Sequence, residues 1–359
     1  MIQDSVYNIK KIVLILGTAC NFNCIYCIQH ENKPRCKKQI KQEVLDWLDD
    51  IAYQLPYKFK PTIHFYGGEP LLYREAIHHV VEHCGDNFNY LISSNGSYLT
   101  DEDVEFFNTN KIKFMLSNDG PNTKVTRQVD MLEDAEFVAR FNKINDRGVD
   151  GVISALNQDY YAFFDHVEKY SPGCSISNEE LVCGESTDPR LPCFDAETLL
   201  KSYKRMGDEL EATWTGAENT RGSDTFNQYL KQVLFFINHP EFPAFGVCGS
   251  GKSVINVDTE GNVYLCKNFN VKVGTVKDEY EVLYARAKHE TKKLRDAHLE
   301  AKGCFDCPAF FFCRGGCPFE KPSDAQKLKC NMIRTKWASV VSFVDNKIKL
   351  EVKDENPSN

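Results

Sequence analysis

The sequence predicts an α/β fold with a parallel sheet, followed by a cysteine-rich segment of different texture. Three observations lead there. Short apolar runs alternate with helix-patterned segments about six times between residues 12 and 182, and strands separated by helices pair in parallel. Each run ends in glycine or small polar residues, the kind of strand end at which α/β barrels carry their functional groups. Most of the 15 cysteines fall in an early trio and a late block.

Residues 12–16 are an unbroken apolar run and read as a buried strand. Residues 43–55 place Val44, Leu48, Ile51 and Leu55 at helical spacing. Residues 62–66 form a second strand that ends in Gly67-Gly68-Glu69-Pro70, and 71–81 read as a helix. A third strand, 90–92, leads into Ser93-Ser94-Asn95-Gly96. Thr100 then opens a helix, with Asp103 in a capping-box position. The fourth strand, 112–116, ends at Ser117-Asn118-Asp119-Gly120. Residues 131–144 are predicted as one helix with Leu132, Ala135, Val138 and Ala139 inward. A fifth strand is placed at 152–156, a helix near 161–167 and a sixth strand at 176–182. Two more helices, 195–210 and 226–237, flank a polar loop at 216–222. Beyond Cys248 a hairpin is predicted, with strands at 254–257 and 263–265. The tail from Glu351 is polar.

Composition narrows the class. The chain of 359 residues, with 42% apolar and 26% charged residues, is that of an ordinary soluble protein with room for a large core and a smaller domain. A net charge of −8 argues against nucleic acid as the main partner. The odd number of cysteines and their tight spacing favour metal sites over a disulfide framework. Lys10-Lys11, the apolar run and Ala19-Cys20 look faintly like a lipoprotein signal, but the run is too short for one. No stretch is long enough to span a membrane. Cytoplasm is the expected compartment.

Cys20, Cys24 and Cys27 stand in the order C-x3-C-x2-C directly after the first strand. Soft thiolates so close together select iron–sulfur, zinc or copper centres. Three ligands leave one iron of a four-iron cluster open, and an open iron suggests chemistry. A zinc knuckle is the bland alternative. Gly67-Gly68-Glu69-Pro70 combines residues that let a backbone approach a ligand with a proline at a helix start. Late in the chain the order is Cys248-x12-Gly261-x4-Cys266, then Cys304-x2-Cys307-x5-Cys313-x3-Cys317, then Cys330. Two zinc ribbons are the alternative for that block. Cys36, Cys84 and Cys174 read as small buried hydrophobes, and His30 and His64 as structural.

The early motifs together resemble the radical S-adenosylmethionine (radical SAM) enzymes, and the late block resembles the SPASM domain that extends some of them. The resemblance runs from about residue 10 to residue 335. It implies a partial (β/α)6 barrel of TIM type at 8–190, bridging helices at 191–240, a SPASM domain at 241–347 and a polar tail at 348–359. It implies S-adenosylmethionine and three iron–sulfur clusters as cofactors. A 4Fe–4S cluster sits on Cys20, Cys24 and Cys27, with Tyr26 as the aromatic residue before the last cysteine. Gly67, Gly68, Glu69 and Pro70 bind the cofactor's amino group. Ser94, Asn95, Ser117 and Asp119 lie near its ribose and carboxylate, with Arg127 and Asn157 as further candidates. Cys304, Cys307, Cys313 and Cys330 hold a distal auxiliary cluster, and Cys248, Cys266 and Cys317 a nearer one.

The sequence departs from the family at two places. Residues 242–247 lack the eighth cysteine of some relatives, so the nearer cluster keeps an open iron or takes Cys183, Cys193 or a substrate thiol. Cys183 and Cys193 are also the candidate catalytic hydrogen donors. Sulfatase maturases carry an aspartate base after the second cysteine of the late block, where this chain has Lys267.

The reading that results is a peptide- or protein-modifying oxidoreductase. It generates a 5′-deoxyadenosyl radical, abstracts hydrogen from a peptide substrate, and forms a thioether or carbon–carbon cross-link or oxidises a side chain. It needs an external electron donor of the flavodoxin or ferredoxin type. The first strand begins near residue 12, which leaves no N-terminal peptide-recognition domain, so recognition falls to a separate protein or to the barrel mouth. The rivals are dehydrogenation of a small molecule and a non-catalytic iron–sulfur or zinc protein.

Overall fold

The structure, a computed structural model, describes residues 9–29, 39–55, 59–184, 187–238 and 248–354. Cys36, His30, residues 242–247 and the last five residues lie outside the described residues.

One nine-stranded sheet organises the described chain. Its strands are β1 (Lys11–Gly17), β2 (Thr62–Gly67), β3 (Asn89–Ser94), β4 (Ile112–Ser117), β5 (Arg147–Ile153), β6 (Ser175–Glu180), β7 (Val254–Asp258), β8 (Asn262–Tyr264) and β9 (Lys272–Thr275). Their order is β6-β5-β4-β3-β2-β1-β7-β8-β9. β1 to β6 are parallel and run outward from β1 in chain order, with helices between them. β7 joins the other side of β1, also in parallel, and β8 and β9 follow antiparallel. The sheet is therefore open, with β6 at one edge and β9 at the other. The late hairpin is not a separate sheet, because β7 pairs with β1 over Lys11 to Ile15.

Residues 12–16 of β1 are all buried, as expected of a central parallel strand covered on both faces. Ile12, Leu14 and Leu16 join Ile63, Phe65, Ile92, Phe114 and Leu116 in the main core. Val13 and Ile15 point the other way and pack with Tyr66, Val254 and Tyr264. The helices behind the early strands are α1 (Gln42–Gln54), α2 (Arg74–Cys84), α3 (Asp101–Thr109), α4 (Thr123–Arg127), α5 (Ala135–Phe141) and α6 (Tyr160–Tyr170). After β6 come α7 (Ala196–Trp214) and α8 (Arg221–Asn238), and in the cysteine-rich part α9 (Tyr280–Leu299), α10 (Phe310–Cys313) and α11 (Asp324–Asp354). No helix among the described residues is long and apolar enough to cross a membrane.

The capping box at α3 forms as predicted. Thr100 Oγ1 accepts from Asp103 N, and Asp103 Oδ2 from Thr100 N. Several boundaries differ from the sequence reading. The helix predicted at 131–144 divides into a 3₁₀ turn, Met131–Glu133, and α5, because Asp134 stops the first and N-caps the second. Phe137 and Phe141 face inward there, whereas Ala135 and Ala139 are exposed. The helix predicted from residue 71 begins as a 3₁₀ turn over Pro70–Tyr73. β5 starts at Arg147, five residues before its predicted start, since Gly148 and Gly151 masked its pattern. Arg221 and Gly222 belong to α8 instead of the loop, and α11 runs to Asp354, past the start of the predicted tail.

Candidate active site and cysteine-lined cavities

The loop that leaves β1 carries Cys20, Cys24 and Cys27, and hydrogen bonds from three directions fix it. Gly68 N donates to Gly17 O (2.9 Å) and Glu69 N to Ala19 O (2.8 Å), so the turn after β2 is laced to the start of the loop. A Cβ on Gly68 would stand 2.1 Å from Ala19 O, and one on Gly17 would stand 2.2 Å from the Tyr73 ring. Glycine at these positions is required by chain-to-chain approach within the protein itself. Farther along, Ile25 N donates to Thr126 O (3.0 Å) and Asn23 N to Gln128 Oε1 (3.3 Å), which seats the loop on α4. Asn95, at the end of β3, donates to Asn21 Oδ1 (2.9 Å) and lies 3.9 Å from Cys20 Sγ.

These thiols border an open cavity of about 1030 Å³ at the C-terminal ends of the parallel strands. Its wall includes Cys20, Cys24, Cys27, Tyr26, Gly67, Gly68, Asn95, Ser117 and Arg127. Burial pushes the Cys24 thiol up to about 11, although Arg127 pulls the other way. Arg127 is itself held by a buried ion pair with Asp119, Nε to Oδ2 at 3.0 Å. Asp119 Oδ2 also accepts from Tyr26 OH and Thr126 Oγ1, both at 2.6 Å, and Oδ1 from Val152 N at 2.9 Å.

Several predicted cofactor residues face away from this cavity. Glu69 is fully buried. Its oxygens accept from Leu71 N, Ser94 Oγ and Asn95 N at 2.7–2.9 Å, and burial holds its carboxyl above the usual range. Pro70 starts the 3₁₀ turn. Asn157 closes a capping box with Ser154 and donates to Val152 O. Glu69, Pro70, Ser94, Asp119 and Asn157 therefore support the wall from behind.

The opposite wall holds charge that sequence reasoning missed: Asp150 on β5, and Glu179 and Glu180 on β6. Glu179 Oε1 accepts from Lys267 Nζ at 3.0 Å, and Glu180 pairs with Lys336. Asp150 accepts from Ser177 Oγ at 2.9 Å, and no cation pairs with it among the described residues. Burial, then the neighbouring Glu179, pushes the Asp150 carboxyl up to about 6. Lys267 reaches this wall from the segment after Cys266, lying over the Tyr66 ring at 4.2 Å. The signal for Asp150 is inward alternation on the fifth strand, which a strand over 152–156 does not include.

The late cysteines form two groups. Cys304, Cys307, Cys313 and Cys330 all line one smaller cavity of about 440 Å³, with Lys302, Glu320, Lys329 and Arg334. Tight turns bring the first three together, and Gly315 and Gly316 follow with positive φ. α11 brings Cys330, whose Sγ accepts from Gln326 Nε2 at 2.8 Å. Lys329 Nζ meets both Glu320 oxygens at 2.8 Å, and burial pushes Cys313 up to about 12. Burial raises Cys266 to about 11 and Cys317 to about 12, with the charge of Cys248 adding to the first and that of Cys266 to the second. Among the described residues no three His, Cys, Asp or Glu converge on a single-ion site. Cys183 is buried by Glu320, which accepts from its backbone N at 2.8 Å, and near Cys330. Cys193 is exposed, with its thiol on Pro189 O. Neither lines the barrel cavity.

Residues 14–157 match the family model of the Radical SAM superfamily. That stretch is a Radical SAM domain. The chain is similar to an uncharacterized protein of Methanocaldococcus jannaschii, 30% identical over 117 residues, which covers 31% of this chain and 39% of that protein. It is 25% identical over 341 residues to the cysteine-type anaerobic sulfatase-maturating enzyme of Clostridium novyi, covering 86% of this chain and 88% of that enzyme. Among solved structures, native anSMEcpe with bound AdoMet and Cp18Cys peptide shares the fold, with a TM-score of 0.67 at 17% identity over 96% of this chain and 99% of that one.

The three-cysteine loop fits the cluster of a radical SAM enzyme. Its donors are all sulfur, they lie on one rim, and the space beside them is open. Where the radical SAM model ends, at residue 157, the chain continues into β6 and the late cysteines, whose all-sulfur donor sets also suit iron–sulfur centres.

Proposed function

We propose that this chain is a radical SAM enzyme that modifies a peptide or protein, using S-adenosylmethionine bound between the three-cysteine loop and the barrel wall. One observation carries the reading: three thiols share the rim of a single open cavity with Gly67, Gly68, Asn95, Ser117 and Arg127. On this reading Cys20, Cys24 and Cys27 ligate a 4Fe–4S cluster, which supplies the electron that splits S-adenosylmethionine into methionine and a 5′-deoxyadenosyl radical. The backbone of Gly67 and Gly68 receives the amino group. Arg127, kept charged by Asp119, offers a guanidinium for the carboxylate. Tyr26 and Asp119 keep that guanidinium in place.

The peptide class is supported by the sulfatase-maturating relative and by the peptide-bound structure of the same fold. We assign the late block as a SPASM-type domain with two auxiliary clusters, one on Cys304, Cys307, Cys313 and Cys330 and one on Cys248, Cys266 and Cys317. Clusters held there would supply an acceptor for the electron released when the substrate radical is oxidised. Lys267, bound to Glu179, occupies the place of the maturase base, which points to a reaction other than sulfatase maturation.

The test is direct. Anaerobically reconstituted, reduced protein should convert S-adenosylmethionine to 5′-deoxyadenosine, and joint replacement of Cys20, Cys24 and Cys27 by alanine should abolish this. A triple variant that cleaves as fast as the parent overturns the assignment.

A further inference from the structure

Asn268 stands two residues after Cys266, in the cysteine-rich part of the chain, yet its side chain is in the wall of the barrel cavity. Its Oδ1 accepts two hydrogen bonds. One comes from Gln29 Nε2 at 3.0 Å, the other from Tyr66 OH at 3.3 Å. Gln29 is two residues beyond Cys27 and is buried; Tyr66 directly precedes Gly67. The backbone N of Asn268 meanwhile donates to Cys266 Sγ at 3.4 Å. One carboxamide thus touches the end of the three-cysteine loop and the start of the glycine turn, while its own backbone is turned around a cysteine of the late block. Its neighbour Lys267 adds a second strut, from the Tyr66 ring across to Glu179.

We propose that Asn268 is a positioning residue that ties the late cysteine segment to both S-adenosylmethionine-binding loops and sets their spacing. The inference rests on the proposed radical SAM activity. The chemistry is specific to an acceptor. A carbonyl oxygen has two lone pairs, and here each has a donor. Asn268→Asp keeps an oxygen in that place. Asn268→Leu keeps the volume but leaves Gln29 and Tyr66 facing a hydrocarbon. With that acceptor gone the donors turn elsewhere, and the two loops they belong to lose their common anchor.

The experiment uses reconstituted, reduced full-length protein with S-adenosylmethionine alone, following 5′-deoxyadenosine and the electron paramagnetic resonance spectrum of the reduced protein with and without the cofactor. Asn268→Leu is expected to lose about tenfold in kcat/KM for S-adenosylmethionine, which corresponds to about 1.4 kcal/mol, and to show a weaker cofactor-induced spectral change. Asn268→Asp is expected within about twofold of the parent. Should Asn268→Leu fail to fold, Gln29→Leu and Tyr66→Phe each remove one donor and carry the same test. Parent-level kinetics in Asn268→Leu, or in both single-donor variants, overturn the tie. So does an Asn268→Asp variant as impaired as Asn268→Leu. A parent that does not cleave S-adenosylmethionine overturns the proposed function instead, so the two failures are distinguishable.

Discussion

The early cysteine loop and the late four-cysteine cavity use the same ligand atom in opposite ways. The early loop offers three thiols to an open cavity of about 1030 Å³, and Cys20 is exposed. The late set surrounds about 440 Å³ with four thiols, and Cys304 is buried. The early loop is irregular and is held from outside, by the glycine turn, α4 and Asn95. The late set is built from its own tight turns, with Cys330 added by the long α11. A set of three thiols leaves one iron of a four-iron cluster free to exchange a partner; a set of four leaves none and suits electron transfer. On the proposed reading this difference suits chemistry at the first and electron storage at the second.

Metal analysis is the strongest way to break that comparison. On the proposed reading the loaded chain holds about twelve irons in three four-iron clusters. Removing Cys20, Cys24 and Cys27 should leave about eight irons and no cleavage of S-adenosylmethionine. Removing Cys304, Cys307, Cys313 and Cys330 should also leave about eight irons but preserve cofactor cleavage. Zinc at the late site, or loss of cleavage in both variants alike, would erase the distinction.

A second pair of variants sharpens it. Each site leans on one buried ion pair: Arg127 with Asp119 for the early loop, Lys329 with Glu320 for the late cavity. Removing one partner of such a pair costs about 3–5 kcal/mol, because the other charge stays buried. Asp119 retains donors from Tyr26, Thr126 and Val152, so Arg127→Met should fall at the low end of that range. Lys329→Met should cost more, since the Glu320 carboxylate then keeps the backbone N of Cys183 as its hydrogen-bond donor. Thermal unfolding gives the cost, and iron content shows which site was loosened. Arg127→Met should spare the late site and Lys329→Met the early one.

How far the sequence carried this description depended on the range of the interactions involved. Residues whose role is local were legible. The Thr100–Asp103 capping box and the strands before and after Gly67-Gly68 follow from spacing, while the grouping of Cys304, Cys307, Cys313 and Cys330, which line one cavity, came from the family resemblance. Roles that depend on distant partners were not. Glu69 reads as a cofactor ligand in sequence, but its oxygens are occupied by Leu71, Ser94 and Asn95. Asn268 carries no motif, and its meaning appears only when Gln29, 239 positions away, comes to its side. The pairing of β7 with β1 is equally non-local, so the late hairpin could not be assigned to the main sheet from pattern.

The smallest expected effect concerns protons. The late cavity has one carboxylate in its wall, Glu320, and Lys329 clamps it. The barrel cavity has Asp150, with Ser177 as its hydrogen-bond donor, Glu179 beside it, and Lys267 and Arg127 farther off. Its carboxyl is raised from 3.8 to about 6, by burial first and Glu179 second. The folded protein therefore holds this proton more tightly than the unfolded chain. Protonation stabilises the fold below about pH 4, and that contribution is lost as pH rises through about 6. Asn at position 150 mimics the protonated form at every pH. Asp150→Asn should thus gain stability over the parent at pH 7.5, on the order of 1 kcal/mol because the group faces an open cavity, and less at pH 5. Melting temperatures of both proteins at the two pH values measure this. An equal difference at both would mean that Asp150 does not titrate in this window, and that the two cavities are alike in their response to pH.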